Sequence, residues 1–263
     1  MMRLKLPLAV LILWTLAALL GPWLPLAPSR IDLPRVLASP DAGAWLGYDA
    51  LGRSVLDRLV VGARTSFVVG VATVTVSLLF GTLLGIAGAW IGGIWDHLLV
   101  RVIDVFLAFP GILLAIALAG ILGPGIENVV IALATVGWVG YARLARAQTL
   151  SLKHREHVIA AVALGAGTLR VIFRHLLPLV GAPLIVEGTF GVAGAIIAEA
   201  GLSFLGLGVQ PPAPSWGTLI REGTRYMLVA PHLILAPALA VLLVVLSVNL
   251  LGDRLRDRLD VRT

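Results

Sequence analysis

Fourteen aspartates and glutamates are spread over 263 residues, and three of them fall inside long apolar runs: Asp104, Glu187 and Glu199. A carboxylate at mid-bilayer costs about 2.5–3.5 kcal/mol on insertion scales, so such a residue is either paired or put to use. Arg101 precedes Asp104 by one helical turn, which reads as a structural ion pair. Glu187 shares a helical face with Gly191 and Gly194. It reads either as a carboxylate suited to a cationic or amine-bearing solute, or as a hydrogen bond in a helix contact. Glu199 stands near the end of the same run, where it can hold the Pro-rich segment that follows.

Other chemistry is poorly represented. A phosphate-binding loop needs Gly-x-x-x-x-Gly-Lys-Ser/Thr, so that backbone amides and a lysine hold the phosphates. The only lysines are Lys5 and Lys153, and neither lies in that context. No His-Glu-x-x-His occurs. His154 and His157 flank Glu156, a spacing that suits a loop docking on a partner better than zinc. Cysteine is absent, which removes disulfides and thiolate metal sites. The intramembrane carboxylates lie at different depths, against a clustered active site. The chain therefore reads as non-catalytic, with no metal and no cofactor of its own.

The elements that position these residues are membrane spans. Hydrophobic residues make up 59% of the chain and charged ones 13%, where a soluble domain carries roughly 25% charged. Six runs approach the roughly 20 residues that cross the hydrocarbon as a helix: Leu6–Leu26, Ser66–Ile91, Leu98–Leu122, Val129–Leu150, Leu179–Ala200 and Pro231–Leu251. Helices are required because lipid offers free backbone groups no partner. Gly70, Gly81, Gly85 and Gly88 in the second run, and Gly188, Gly191 and Gly194 in the fifth, allow close helix contact. The first run is long, holds Trp14 and lacks a small-x-small cleavage site, so it reads as an uncleaved anchor over residues 1–26 rather than a signal peptide.

The formal charge is +6, but the basic residues form no stripe interleaved with aromatics, so nucleic acid is not the expected partner. A topological role fits better. With the N-terminus in the cytoplasm, thirteen of the twenty lysines and arginines lie inside, Arg3 and Arg262 among them, and seven outside. Both termini are then cytoplasmic. Residues 27–65 form an outer segment whose end, Leu51–Ala63, alternates like a short amphipathic helix. Residues 66–252 form the core, 201–230 an outer loop, and 253–263 a cytoplasmic tail. No inverted repeat is visible, which weighs against an ion-coupled carrier working alone.

The cytoplasmic loop 151–178 carries the most information. Glu156 through Leu164 should form a short helix with the small Ala160 and Ala161 on its surface. Gly165 and Gly167 break it. Thr168 can cap a second helix that ends before Pro178. Physics alone leaves two readings: a helix–turn–helix whose small residues let a partner approach, or a solvated basic loop.

The stretch Ala160-Ala161, Gly165-Ala166, Ile172 and Leu177-Pro178 resembles the cytoplasmic coupling loop of binding-protein-dependent ABC importer permeases. That signature begins Glu-Ala-Ala; here Ile159 holds the Glu position, and Val162 stands where a basic residue is common. The likeness covers nearly the whole chain. Leu46–Ser54 resembles the Leu-Gly-Thr-Asp-x-x-Gly-Arg-Asp stretch of the peptide and nickel branch, with Tyr48 and Ser54 in place of Thr and Asp. Gly92–Asp96, Asp104–Pro110, Tyr141–Leu144, Glu199–Pro212 and Asn249–Asp257 match in order. The match is to the second permease of dipeptide, oligopeptide and nickel importers. The resemblance implies an all-α membrane protein, the type I importer permease fold with six spans and a coupling helix, in a bacterial inner membrane. It implies a heterodimer with a second homologous permease, two ATPase subunits that bind ATP and Mg, and a periplasmic or lipid-anchored binding protein. Glu156, Ala160, Ala161, Gly165, Ala166, Leu177 and Pro178 would meet the ATPases. Glu187, Gly191, Gly194 and Glu199 would face the pore or the partner permease. Gln210, Pro211, Pro212 and Trp216 would meet the binding protein or shape the pore mouth.

Overall fold

The computed structural model describes residues 5–259; Arg3 and Arg262, counted above in the charge balance, lie outside the described residues. The described chain is helical, with only isolated bridges Asp41–Ala44 and Tyr48–Ser54 in extended pairing. Helix α1 spans Lys5–Leu20, α2 Val55–Ile91, α3 Gly93–Leu107, α4 Gly111–Leu122 and α5 Ile126–Leu152. Then come α6 Glu156–Ala163, α7 Thr168–Val171, α8 Leu177–Phe204, α9 Trp216–Thr224 and α10 His232–Leu259. Among the described residues five segments are long and apolar enough to cross a membrane alone, and α3 with α4 forms a bent apolar pair, a broken span or a re-entrant loop.

Three expectations about the elements need correcting. The third span is not one helix: α3 and α4 meet at 84°. Pro110 has no amide hydrogen to donate and disfavours helix in Phe109, so the ladder stops at Leu107 and restarts at Gly111. The amphipathic stretch 51–63 is not a separate helix either. Ser54 accepts from the Asp57 amide and starts α2 at Val55, so the outer segment flows without a break into the second span. Finally, the cytoplasmic helix after Gly167 does not end before Pro178, and Thr168 does not cap it. It runs through one π turn, Ile172–Leu176, straight into α8 with Pro178 in the first turn. The wider turn makes room for the ring where an α ladder would clash.

Glycine sets the tightest packing. A Cβ on Gly81 would sit 2.9 Å from the Tyr141 Cβ and 3.0 Å from the Ala142 nitrogen, and one on Gly85 would sit 2.9 Å from the Ala145 Cβ. Helices α2 and α5 thus touch backbone to backbone, as small residues allow in membranes. Gly70 meets Ile196 of α8, and Gly88 meets Leu99 of α3. Helix α1 lies on this bundle through Trp14, which is buried against Phe67 and Trp216.

Candidate functional site

The α6–α7 hairpin is built on a dry underside. Val158, Val171, Ile172, Leu176 and Val180 are buried with Leu152 and Ala145 of α5 and Ile86 of α2. Burying side chains of this size contributes roughly 1.5–3 kcal/mol each. The turn is a Schellman motif: the Gly165 amide donates to the Val162 carbonyl and the Ala166 amide to that of Ala161. Gly165 has φ +84°, which a side chain adopts only at a cost. The outer surface is apolar as well. Ile159, Val162, Leu164 and Leu169 are exposed, Leu164 to 89%. Glu156, Ala160, Gly165 and Pro178 are also exposed, while Ala161, Ala166 and Leu177 are half-buried. Glu156 sits in the first turn of α6, where a carboxylate complements the helix dipole. His157 and His175 lie side by side, ring centroids 6.5 Å apart.

On one flank of the bundle α2, α4, α5 and α8 enclose a cavity of about 670 Å3. Glu187, Gly191 and Gly194 all line it, as their shared helical face required. Gly194 has nothing within 4 Å of where a Cβ would stand, so the wall there is open. Tyr141 reaches across from α5 and its hydroxyl fills the space a Gly191 side chain would need. The same tyrosine belongs to the buried cluster beneath the hairpin. One side chain therefore reaches from the cluster beneath the hairpin to the cavity wall. A second cavity of about 650 Å3 adjoins on the cytoplasmic side, sharing Gly140 and Glu187 and lined also by Asp104 and Arg143.

Glu199 is placed elsewhere. It is 1% exposed, does not line the large cavity, and accepts hydrogen bonds from Ser66 (3.2 Å) and Ser203 (2.7 Å). It ties α2 to α8 directly below the outer loop, whose Pro214 carbonyl accepts from Thr65 at 3.1 Å. In this structure the residue ties two helices together beneath that loop. Trp216, expected at the outer surface, is also buried. Its indole donates to the Leu59 carbonyl at 2.9 Å, behind a capping box formed by Ser215 and Thr218. Gln210, Pro211 and Pro212 remain on the surface, with the Gln210 amide folded back onto the Gly206 and Gly208 carbonyls. Asp104 does not pair with Arg101: among the described residues neither enters an ion pair, and both are exposed.

Two charged groups were not anticipated. Arg146 of α5 grips Asp96 of α3 through two bonds of 2.6 and 2.7 Å, a fork geometry of charge-assisted hydrogen bonds. On the outer side Arg58 lies 2.6 Å from Asp49 and 2.7 Å from Glu222, and Arg53 joins the same two carboxylates. Both Arg58 and Asp49 are buried. The spacing of Asp49 and Arg53 hinted at a local pair; Glu222, far along the chain, could not be found that way. Gly52, with φ +68°, lets the loop turn against the Asp32 backbone so that Asp49 can face inward.

Residues 77–263 match the family model described as "Binding-protein-dependent transport system inner membrane component". The chain is similar to the glutathione transport system permease protein GsiD of Pectobacterium atrosepticum, 42% identical over 89% of this chain and 78% of that protein. It is similar to the same protein of Escherichia coli and Shigella boydii, each 43% identical over 89% of this chain and 77% of theirs. A chain of the MetNI methionine ABC transporter, solved in inward-facing conformations, shares the fold with a TM-score of 0.62 at 16% identity, over 77% of this chain and 96% of that one. With five helices long and apolar enough to cross a membrane and relatives that are transport permeases, the chain belongs to the binding-protein-dependent transport system inner membrane component family and is the multi-pass permease component of an ABC importer.

Proposed function

We propose that this chain is one of two homologous permeases that together line a pathway for a small peptide, glutathione being the first to test. Two ATPase subunits, carrying the ATP and Mg, dock on the α6–α7 hairpin, and a substrate-binding protein delivers the solute from the outer side. Both termini face the cytoplasm. The carrying observation is the two-sided construction of the hairpin: a buried apolar underside fixed to α2, α5 and α8, and an apolar outer surface left uncovered. Exposed apolar patches of this kind mark contact sites. Ile159, in place of the family's signature glutamate, makes this contact depend on packing rather than on an ion pair.

Closure of an ATPase pair moves a docked hairpin as a rigid body, because its underside is one buried cluster. Tyr141 carries that movement to the cavity wall. ATP shifts the pathway only by favouring one packing of the permeases over the other. The peptide reading rests on the glutathione permeases among the relatives; nickel, also handled in this branch, has no comparable support.

The test is reconstitution. The chain is co-expressed with the second permease and the ATPases, and the complex is placed in liposomes with the binding protein outside. ATP-dependent glutathione uptake is expected. Uptake without ATPase subunits, driven by an ion gradient, would favour a secondary carrier instead and overturn the reading.

A further inference from the structure

The large cavity carries four polar groups with no protein partner. Neither the Glu187 carboxylate nor the Tyr141 hydroxyl makes a hydrogen bond or ion pair among the described residues. Thr73 and Ser77 stand one turn apart on α2, are more than nine-tenths buried, and their hydroxyls have no partner among the described residues. All four line the same space, and the remaining walls are glycine and aliphatic side chains. Glu187 is exposed on this wall, so its carboxylate is open to a cation that enters the cavity. Arg143 lines the adjoining cavity with Glu187 but does not pair with it among the described residues.

We propose that Glu187, with the hydroxyls of Thr73, Ser77 and Tyr141, forms a transient station for the ammonium group of the transported peptide. The proposal rests on the transport reading above and adds the group of the solute that is recognised. An ammonium has three donors and no acceptor, and the residues that line this cavity include one carboxylate and three hydroxyl side chains. A single carboxylate suits a singly charged ammonium better than a divalent metal, which takes several charged or imidazole ligands; no group of three such residues occurs among the described residues. The open wall at Gly194 keeps the station loose, as transport requires release as well as binding.

The chain has no cysteine, so a single Gly140→Cys places one thiol in both cavities that Glu187 lines. The complete complex in liposomes is treated with a cationic and with an anionic methanethiosulfonate of similar size. Labelling of the peptide containing residue 140 is followed by mass spectrometry. The cationic reagent is expected to react about tenfold faster, and Glu187→Gln in the same background to reduce that preference about fivefold. In an otherwise unaltered chain, Glu187→Gln should lower glutathione uptake per ATP hydrolysed, with Glu187→Asp restoring most of it. A preference unchanged by Glu187→Gln, no labelling at position 140, or equal loss of ATPase stimulation and uptake would overturn the station and make Glu187 a contact to the second permease. Absence of ATP-dependent uptake by the unaltered complex would instead defeat the transport reading, while the labelling ratio still decides whether the cavity attracts cations.

Discussion

The two ends of the molecule are held by opposite means. On the outer side, Asp49, Arg53, Arg58 and Glu222 lock the segment before α2 to α9 through largely buried charges. At the opposite end, the α6–α7 hairpin rests on a cluster of buried apolar side chains and shows a second apolar surface above. Buried ion pairs tolerate little displacement, because a separated charge keeps its desolvation penalty without its partner. An apolar underside holds the hairpin together but leaves its top free to bind. The first end thus closes on itself, while the hairpin end leaves an apolar surface uncovered.

The sharpest way to break this contrast is Arg58→Ala. It removes one of the two cations on Asp49 while Arg53 keeps the other bond, and the expected loss is about 1.5–3 kcal/mol, that of a hydrogen bond to a charged group. Denaturation of the detergent-solubilised chain measures it; a loss below about 1 kcal/mol, the range of surface pairs, would mean that the outer lock is ordinary surface charge. Gly85→Val tests the helix contact common to both ends. The added carbons meet the Ala145 Cβ and the Arg146 backbone, and about 1–3 kcal/mol of stability should go. A smaller effect is expected from Gly165→Ala at the hairpin turn, about 1–2 kcal/mol from its left-handed backbone. It should also lower the ATP hydrolysis stimulated by the binding protein, measured on the reconstituted complex. Least of all, Leu164→Asp should change the chain's own stability by no more than about 0.5 kcal/mol, since the side chain touches solvent. Yet it should strip the ATPases from the complex on affinity purification. Stability and assembly then separate at the inner end and not at the outer one.

Much of this is legible in the sequence where the signal is local. Five spans follow from run length, and the face shared by Glu187, Gly191 and Gly194 follows from helical period, all three lining one cavity. The Gly165 turn is equally plain. What escapes depends on distance along the chain. Glu222 joins Arg58 only after the whole bundle has closed, and Arg146 reaches Asp96 from another helix. Trp216 reads as a surface residue because a tryptophan near a span end is usually an interfacial anchor, and only tertiary packing shows it turned inward to Leu59. The π turn before Pro178 likewise has no one-residue signature; a proline there more often ends a helix.

One measurement bears most directly on the claim that the inner end binds the ATPases and the outer end does not. Leu164→Cys and, separately, Ala213→Cys, a position exposed in the outer loop, give two single-cysteine chains. Each is assembled with its partner subunits in membrane vesicles and treated with a short bifunctional thiol reagent. The expected result is a crosslink to an ATPase subunit from position 164 and none from position 213. A crosslink to an ATPase from position 213, or none from position 164 in vesicles that still import in an ATP-dependent way, would contradict it.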